Sequence, residues 1–259
     1  MKKYEGYLID LDGTMYRGKE PIPGAKEFVD ELRARKIPYL FLTNNSSRTP
    51  EQTAEKLKDF GIDASTEQVI TASLATAAFI KEKLTSRKAY VIGEMGLTSV
   101  LERAGIEITD GEADLVVMGI DRETTFEKLT QASLNAQNGA YLLATNPDIK
   151  VPTERGFTPG NGAFVDLVSR VANKQATFVG KPQPFMMEFA LQKLGTSREN
   201  TIMVGDNYHT DIMAGIESGL DTLHVETGVT SKEELASYKT QPTYSIHTLY
   251  DWFSQVDET

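Results

Sequence analysis

Tyr7-Leu8-Ile9-Asp10-Leu11-Asp12-Gly13-Thr14 is a short apolar run that ends abruptly in two carboxylates one residue apart. The apolar part reads as a buried strand, and Gly13-Thr14 turns the backbone away at its end. Two anions this close repel each other, so a cation or a shared proton is expected to hold them. Ligands of open α/β sheets gather at the carboxyl ends of the strands. An acidic pair there suggests a hard-metal site, with Mg²⁺ favoured because it takes few protein carboxylates plus substrate phosphate. Taken alone, Asp-x-Asp-Gly fits a strand followed by a solvated acidic turn equally well.

Outward from this stretch, strand and helix patterns alternate, as a parallel sheet with covering helices requires. A helix is expected over Ala25–Lys36, burying Phe28, Val29 and Leu32. Tyr39–Thr43 reads as a second strand running into Asn44-Asn45-Ser46-Ser47. Thr49 as N-cap, Pro50 in the first turn, Gln52 completing a capping box and Gly61 as stop mark the next helix, with Ala54, Leu57 and Phe60 on its core face. Further strands are expected at Ala89–Ile92, Leu115–Met118, Tyr141–Ala144, Thr177–Val179 and Thr201–Val204, with Thr222–Val225 as the last central one. Helices are expected near Leu97–Ala104, Phe126–Ala136 and Pro184–Leu194, with another beginning near Thr210. Trp252 and Phe253 read as terminal-helix packing.

Composition narrows the function. The 259 residues carry a formal net charge of -10, which argues against nucleic acid polymers and anionic membranes as partners. There is no cysteine, so disulfides, thiolate catalysis and Cys-ligated metals are excluded. The three histidines, His209, His224 and His247, would all be needed for a three-His metal site. No signal peptide or membrane span is legible, and a cytoplasmic protein is expected.

Four strands end in groups suited to phosphate chemistry: Asp10/Asp12, Thr43/Asn44, Lys181 and Asp206/Asp211. Each has an ordinary explanation. Thr43 can cap a loop, Lys181 can be surface charge, Asp206 can be a turn residue and Asp211 a first-turn acid. One parallel sheet, however, brings all four ends to one edge. A carboxylate nucleophile, a metal held by acids, a hydroxyl and a lysine together make a phosphoryl-transfer centre.

These four ordered motifs resemble those of the haloacid dehalogenase superfamily phosphatases. Leu42-Thr43-Asn44-Asn45, Ala144-Thr145-Asn146-Pro147-Asp148, Val179-Gly180-Lys181-Pro182 and Gly205-Asp206-Asn207…Thr210-Asp211-Ile212 resemble the signatures of its NagD-like subfamily in particular. The resemblance implies that Asp10 attacks phosphorus to form an aspartyl-phosphate, while Asp12 protonates the leaving oxygen and later deprotonates water. It implies that Thr43 and the Asn44 amide hold phosphoryl oxygens and that Lys181 neutralises nucleophile and phosphate. Mg²⁺ would sit on the Asp10 carboxylate, the Asp12 carbonyl and Asp206, with Asp211 in support. An acid at position 12 favours phosphomonoester hydrolysis or phosphomutase chemistry, because by analogy the superfamily's dehalogenases lack it.

Too little chain separates the catalytic turn from the first helix for an inserted domain, whereas Thr43 and Lys181 lie far further apart than one crossover needs. Roughly 95 residues remain there, enough for a small domain. The expected architecture is a Rossmann-like parallel-sheet α/β core, residues 1–80 and 177–259, with an inserted α/β cap, residues 81–176. By analogy the cap closes over the catalytic edge and excludes water. Asn45, Asn146, Asp148, Asn207 and His209 join Thr43, Asn44 and Lys181 as expected phosphate or substrate contacts. Gly156–Gly162 is a second turn-rich cap segment suited to touching substrate. Both cap segments are equally readable as plain turns. The expected partner is a small phosphorylated metabolite such as a nucleotide or sugar phosphate, p-nitrophenyl phosphate serving as surrogate. A homodimer formed cap to cap is compatible with the family. A phosphomutase is the alternative enzyme, and a receiver-like phospho-aspartate signalling module the non-enzymatic one.

Overall fold

A computed structural model of the chain describes residues 2–153 and 155–257. The chain forms two compact units. The first comprises Met1–Thr43, Glu51–Ile70 and Lys181–Thr259, and the second Asn44–Pro50 and Thr71–Gly180.

The first unit is built on a six-stranded sheet in the order Tyr244–Ile246, Asp221–Val225, Thr201–Gly205, Gly6–Asp10, Tyr39–Thr43, Val69–Thr71. Gly6–Asp10 pairs parallel with both neighbours, Ile9 opposite Val204 and Phe41 and Asp10 opposite Leu42. The strands that follow it in the chain first fill one side of the sheet, and the late strands fill the other. Gly6–Asp10 therefore stands where the winding reverses, which opens the crevice of such sheets beyond its carboxyl end. All five of its residues are buried.

Tyr7 and Ile9 join one core with Phe28, Val29 and Leu32 from the Ala25–Ala34 helix and with Trp252, Phe253 and Val256 from the Tyr250–Asp257 helix. The Trp252 indole N–H donates to the Tyr7 hydroxyl at 3.0 Å, so the polar atoms of two large buried aromatics satisfy each other. The Ala25 helix stops two residues short of the expected Lys36. Lys36 turns left-handed at φ 57°, and Ile37 N–H reaches back to the Leu32 carbonyl, a helix stop made here without glycine. The helix Pro50–Asp59 follows its sequence signals, with Gly61 beyond it at φ 76°.

The second unit has a five-stranded sheet in the order Thr177–Phe178, Tyr141–Ala144, Leu115–Met118, Lys88–Ile92, Glu107–Ile108, with parallel pairing throughout. Its core joins Tyr90, Val116, Met118 and Leu142 to Val165 and Val168 of the Asn161–Ala172 helix. An antiparallel hairpin, Lys150–Thr153 with Gly156–Pro159, stands apart from that sheet. The chain thus has the expected α/β class, with one parallel-sheet unit inserted into another.

The division differs from the expected 81–176 insertion at both borders. Thr177–Phe178 pairs with Leu143–Ala144 and so completes the second sheet rather than the first. The Ala72–Lys83 helix packs on Met95–Arg103, which carries it into the second unit as well. Asp221–Val225 is the last central strand, as expected, and Tyr244–Ile246 adds beyond it an edge too short to show a pattern in sequence. Among the described residues no helix is long and apolar enough to cross a membrane.

His224 lies fully buried in the Asp221–Val225 strand. Its Nε2 is 3.1 Å from the Thr230 carbonyl, which can only accept, so Nε2 carries the proton and Nδ1 accepts from the Ser245 hydroxyl at 3.1 Å. Burial lowers its pKa from the ordinary 6.5, outweighing the hydrogen bond to Thr230. A histidine held neutral in the fold stabilises fully above the unfolded pKa, and that stability is lost as pH falls through 6.5 toward the folded value. The stability lost by His224→Gln in urea denaturation should therefore be largest above about pH 6.5 and shrink as the pH falls below it; a loss that is the same at every pH refutes the assignment.

Candidate active site

Four charged side chains converge beyond the end of the Gly6–Asp10 strand. The Lys181 ammonium, 1% exposed, donates to Asp10 Oδ1 at 2.5 Å, to Asp211 Oδ1 at 2.8 Å and to the Leu42 carbonyl at 3.2 Å. The Thr14 hydroxyl lies 3.3 Å from Asp10 Oδ2 and from Asp206 Oδ1, and can donate to either. Asp206 Oδ2 accepts from the Val229 amide at 2.6 Å. One oxygen from each of Asp10, Asp206 and Asp211 falls within 4.8 Å of the others.

Local backbone makes this convergence. Asp206 lies just before, and Asp211 within, a single π-helical turn, Tyr208–Ile212, which takes the place of the plain helix expected from Thr210. That turn folds Asp211 back so that its Oδ2 accepts from the Asn207 amide at 3.1 Å. A Cβ at Gly205 would collide with the Asp211 side chain, so glycine at the strand end is a requirement of the approach.

Three carboxylates and one ammonium leave a formal charge of -2 in a buried pocket. Burial, followed by repulsion from Asp211, raises Asp10 well above the carboxylate range against the pull of Lys181. The same two causes push Asp206 up to about 7. Burial works to lower the Lys181 ammonium, but Asp10 and Asp211 outweigh it and hold the amine charged. An excess of two buried negative charges is what a divalent cation would cancel, and a donor set made only of oxygen suits a hard one. Asp211, engaged by Lys181, Thr210 and the Asn207 amide, is the most occupied of the three. Asp10 and Asp206 are the more available ligands.

Asp12 differs from Asp10 in one decisive respect: its side chain is exposed, while Asp10 is 7% exposed. Two carboxylates separated by a single residue thus occupy different environments, one fixed among charges and one open to solvent. Thr43 is buried at the end of the neighbouring strand, one residue past the Leu42 that pairs with Asp10. Asn207 caps the π-helical turn, its Oδ1 accepting from His209 N–H at 3.0 Å. His209 is exposed, and its Nε2 lies 2.9 Å from the Tyr238 hydroxyl.

The remaining expected contacts belong to the second unit and form a network there. Asn146 Nδ2 donates to the Asn44 carbonyl at 2.8 Å, Asn44 Nδ2 to Asp148 Oδ2 at 3.4 Å, and Asp148 N–H to Asn146 Oδ1 at 3.1 Å. Asn45 accepts through Oδ1 from the Ser47 amide and hydroxyl, both at 2.8 Å, which closes its own turn. Asn161, in the turn-rich segment, donates to the Met118 and Asn146 carbonyls.

Sequence reasoning missed Thr14 and the Val229 amide as parts of the site. Thr14 stood in the quoted motif, but only as a turn residue. The Val229 contact had no signal beyond Thr227-Gly228 following a strand.

Lys181→Met should leave Asp10, Asp206 and Asp211 without their buried cation and cost about 3–5 kcal/mol of stability at pH 7.5 in chelator. Urea midpoints measure it, and a loss below about 1 kcal/mol, the range of exposed pairs, contradicts the buried-cluster account.

The chain matches two family models, "Haloacid dehalogenase-like hydrolase" over residues 7–107 and "HAD-hydrolase-like" over residues 178–252. It is 50% identical over 256 residues to the 5'-nucleotidase YutF of Bacillus subtilis, covering 99% of this chain and 100% of that one. It is 47% identical over 259 residues to the acid sugar phosphatase of Staphylococcus aureus MRSA252, covering all of both. Among solved structures, a mutant of the thermostable p-nitrophenylphosphatase of Bacillus stearothermophilus is similar at 56% identity and TM-score 0.86, covering 97% of this chain and 99% of that one. NagD of E. coli K-12 is similar at 33% identity and TM-score 0.90, covering 96% and 98%. Identity at this level along the whole of both chains leaves one assignment: the chain belongs to the haloacid dehalogenase superfamily, among its NagD-like phosphatases.

Proposed function

We propose that this chain hydrolyses small phosphomonoesters, nucleotide or sugar phosphates, with Mg²⁺ and through a phosphorylated Asp10. The observation that carries the reading is the buried ammonium of Lys181 bonded to Asp10 beside two further buried acids. That contact orients the Asp10 carboxylate and disperses the charge of a phosphoryl group brought against it. The carboxylates of Asp10 and Asp206 and the carbonyl of Asp12, with Asp211 in support, would hold Mg²⁺, which would supply charge neutralisation to the phosphoryl oxygens.

In the first step an Asp10 oxygen forms a bond to phosphorus as the ester P–O bond breaks, and the departing oxygen takes the proton of Asp12. In the second, Asp12, now a carboxylate, takes a proton from water whose oxygen attacks phosphorus. Inorganic phosphate leaves and Asp10 is restored. Exposure of Asp12 suits a group that must exchange a proton with leaving group and water in turn. The Thr43 hydroxyl and the Asn44 amide bind phosphoryl oxygens, and Asn45 and Asn207 are further substrate contacts. The second unit acts as the cap, presenting Asn146 and Asp148 to the substrate, and His209 meets its leaving group. Absence of cysteine accords with a cytoplasmic enzyme.

The relatives bear two different substrate names at nearly equal identity, a nucleotidase and a sugar phosphatase. Overall similarity therefore does not choose the leaving group. A panel of nucleoside monophosphates, sugar phosphates and p-nitrophenyl phosphate, compared by kcat/KM with Mg²⁺ and with chelator, tests both class and metal. Phosphate released without an acceptor distinguishes hydrolysis from phosphomutase chemistry, and activity that survives chelation removes the metal from the mechanism. Asp12→Asn should lower kcat by about 10²–10⁴-fold; unchanged release rejects Asp12 as acid and base. Asp10→Asn should abolish turnover with the fold intact, and substantial residual activity rejects it as nucleophile.

A further inference from the structure

We propose that the loop Thr227-Gly228-Val229-Thr230 is a backbone clamp that fixes Asp206 as a one-oxygen ligand and so sets which divalent cation the site prefers. The inference deepens the metal reading given above and rests on it.

The loop follows the Asp221–Val225 strand and meets Asp206 at three points. Val229 N–H donates to Asp206 Oδ2 at 2.6 Å, and Thr230 N–H donates to the Asp206 carbonyl at 3.2 Å. Gly228 lies so close that a Cβ there would overlap the Asp206 carboxylate. A Cβ on Gly13 would overlap the same carboxylate. The two glycine loops are tied together, since the Thr227 hydroxyl donates to the Gly13 carbonyl at 2.7 Å and Arg17 donates to the Thr227 carbonyl. Thr230 anchors the far end: it is 2% exposed, its hydroxyl accepts from Tyr208 N–H at 2.9 Å and its carbonyl from His224 Nε2.

Hydrophobic packing does not explain this placement. Gly228 is exposed and Val229 is 58% exposed, so the middle of the segment presents its backbone inward and the Val229 side chain to water. What it delivers to the interior is one N–H aimed at one carboxylate oxygen. With Oδ2 held by that amide, Asp206 offers Oδ1, on the side of Thr14 and Asp10. A carboxylate clamped in this way favours octahedral ions that take one oxygen per acid. It disfavours Ca²⁺, which takes more ligands and often uses both oxygens of a carboxylate. Thr227, Gly228 and Val229 are thus positioning residues for a metal ligand, acting through Asp206.

The test is metal binding to the metal-free protein, with Mn²⁺ and Ca²⁺ as probes, by calorimetry and by the electron paramagnetic resonance of free Mn²⁺. The parent should bind Mn²⁺ in preference to Ca²⁺. Gly228→Ala should weaken Mn²⁺ binding by about 10–100-fold, the usual effect of disturbing a ligand's support. It should also lower the ratio of Mn²⁺ to Ca²⁺ affinity, which a loss of stability alone leaves unchanged. Thr227→Val, which removes only the hydroxyl tie to Gly13, should move both quantities the same way by a smaller factor. It also supplies the result if Gly228→Ala does not fold. A parent that binds no Mn²⁺ overturns the metal reading and the clamp with it. A parent that binds Mn²⁺, with every folded variant keeping its affinity and its ratio, overturns the clamp alone.

Discussion

The contact between the Lys181 ammonium and the Asp10 carboxylate is the constraint on which the site depends. A buried carboxylate beside two others cannot stay ionised unless positive charge is supplied. Lys181 supplies one such charge from inside the protein, and the cluster still lacks balance by two. The same arithmetic gives the site two features: Asp10 is held in a fixed orientation, and the pocket keeps a negative excess that a divalent cation would cancel. Attraction of two negative partners, an acid and a phosphoryl group, is possible only because neither is left facing the other unshielded.

Architecture supplies the rest of the convergence. Asp10 comes from the strand where the sheet's winding reverses, and Asp206 ends the strand paired beside it. Lys181 enters the first unit just after the last residue of the second. The lysine bonded to Asp10 is therefore also the residue at which the inserted chain returns. Thr43 and Asn44 mark an earlier crossing, into the short Asn44–Pro50 segment of the second unit, with consecutive residues assigned to different units. Motifs at these two crossings leave the charged cluster in one unit and the asparagine network in the other.

Asp10 and Asp12 illustrate how position in a fold divides labour between identical side chains. One is buried and tied to an ammonium, the other exposed one turn beyond the strand. The first arrangement suits a nucleophile that must not wander; the second suits a group that changes its protonation during each turnover. Burial alone makes the distinction.

Much of this was legible in sequence, because local rules are strong where a strand is buried on both faces. Tyr7–Asp10, Leu115–Met118 and Tyr141–Ala144 read as strands from their apolar runs, and Pro50 and Gly61 bracketed a helix through their own backbone preferences. The acids and the hydroxyl at three strand ends were visible for the same reason, since a parallel sheet sends every strand's end to one edge; Lys181 instead follows a strand of the second sheet and joins the cluster as the chain re-enters the first unit. Short edges such as Tyr244–Ile246, the glycine-free stop at Lys36 and the membership of Thr177–Phe178 in the second sheet were not, since each is decided by a distant partner. Nor could sequence show that Asp211 is turned back by a π-helical turn or that the Val229 amide holds Asp206. The residue types came from the sequence by itself; which oxygen each carboxylate is free to offer was decided by tertiary structure. A hydrogen bond between residues far apart in the chain leaves no periodicity behind.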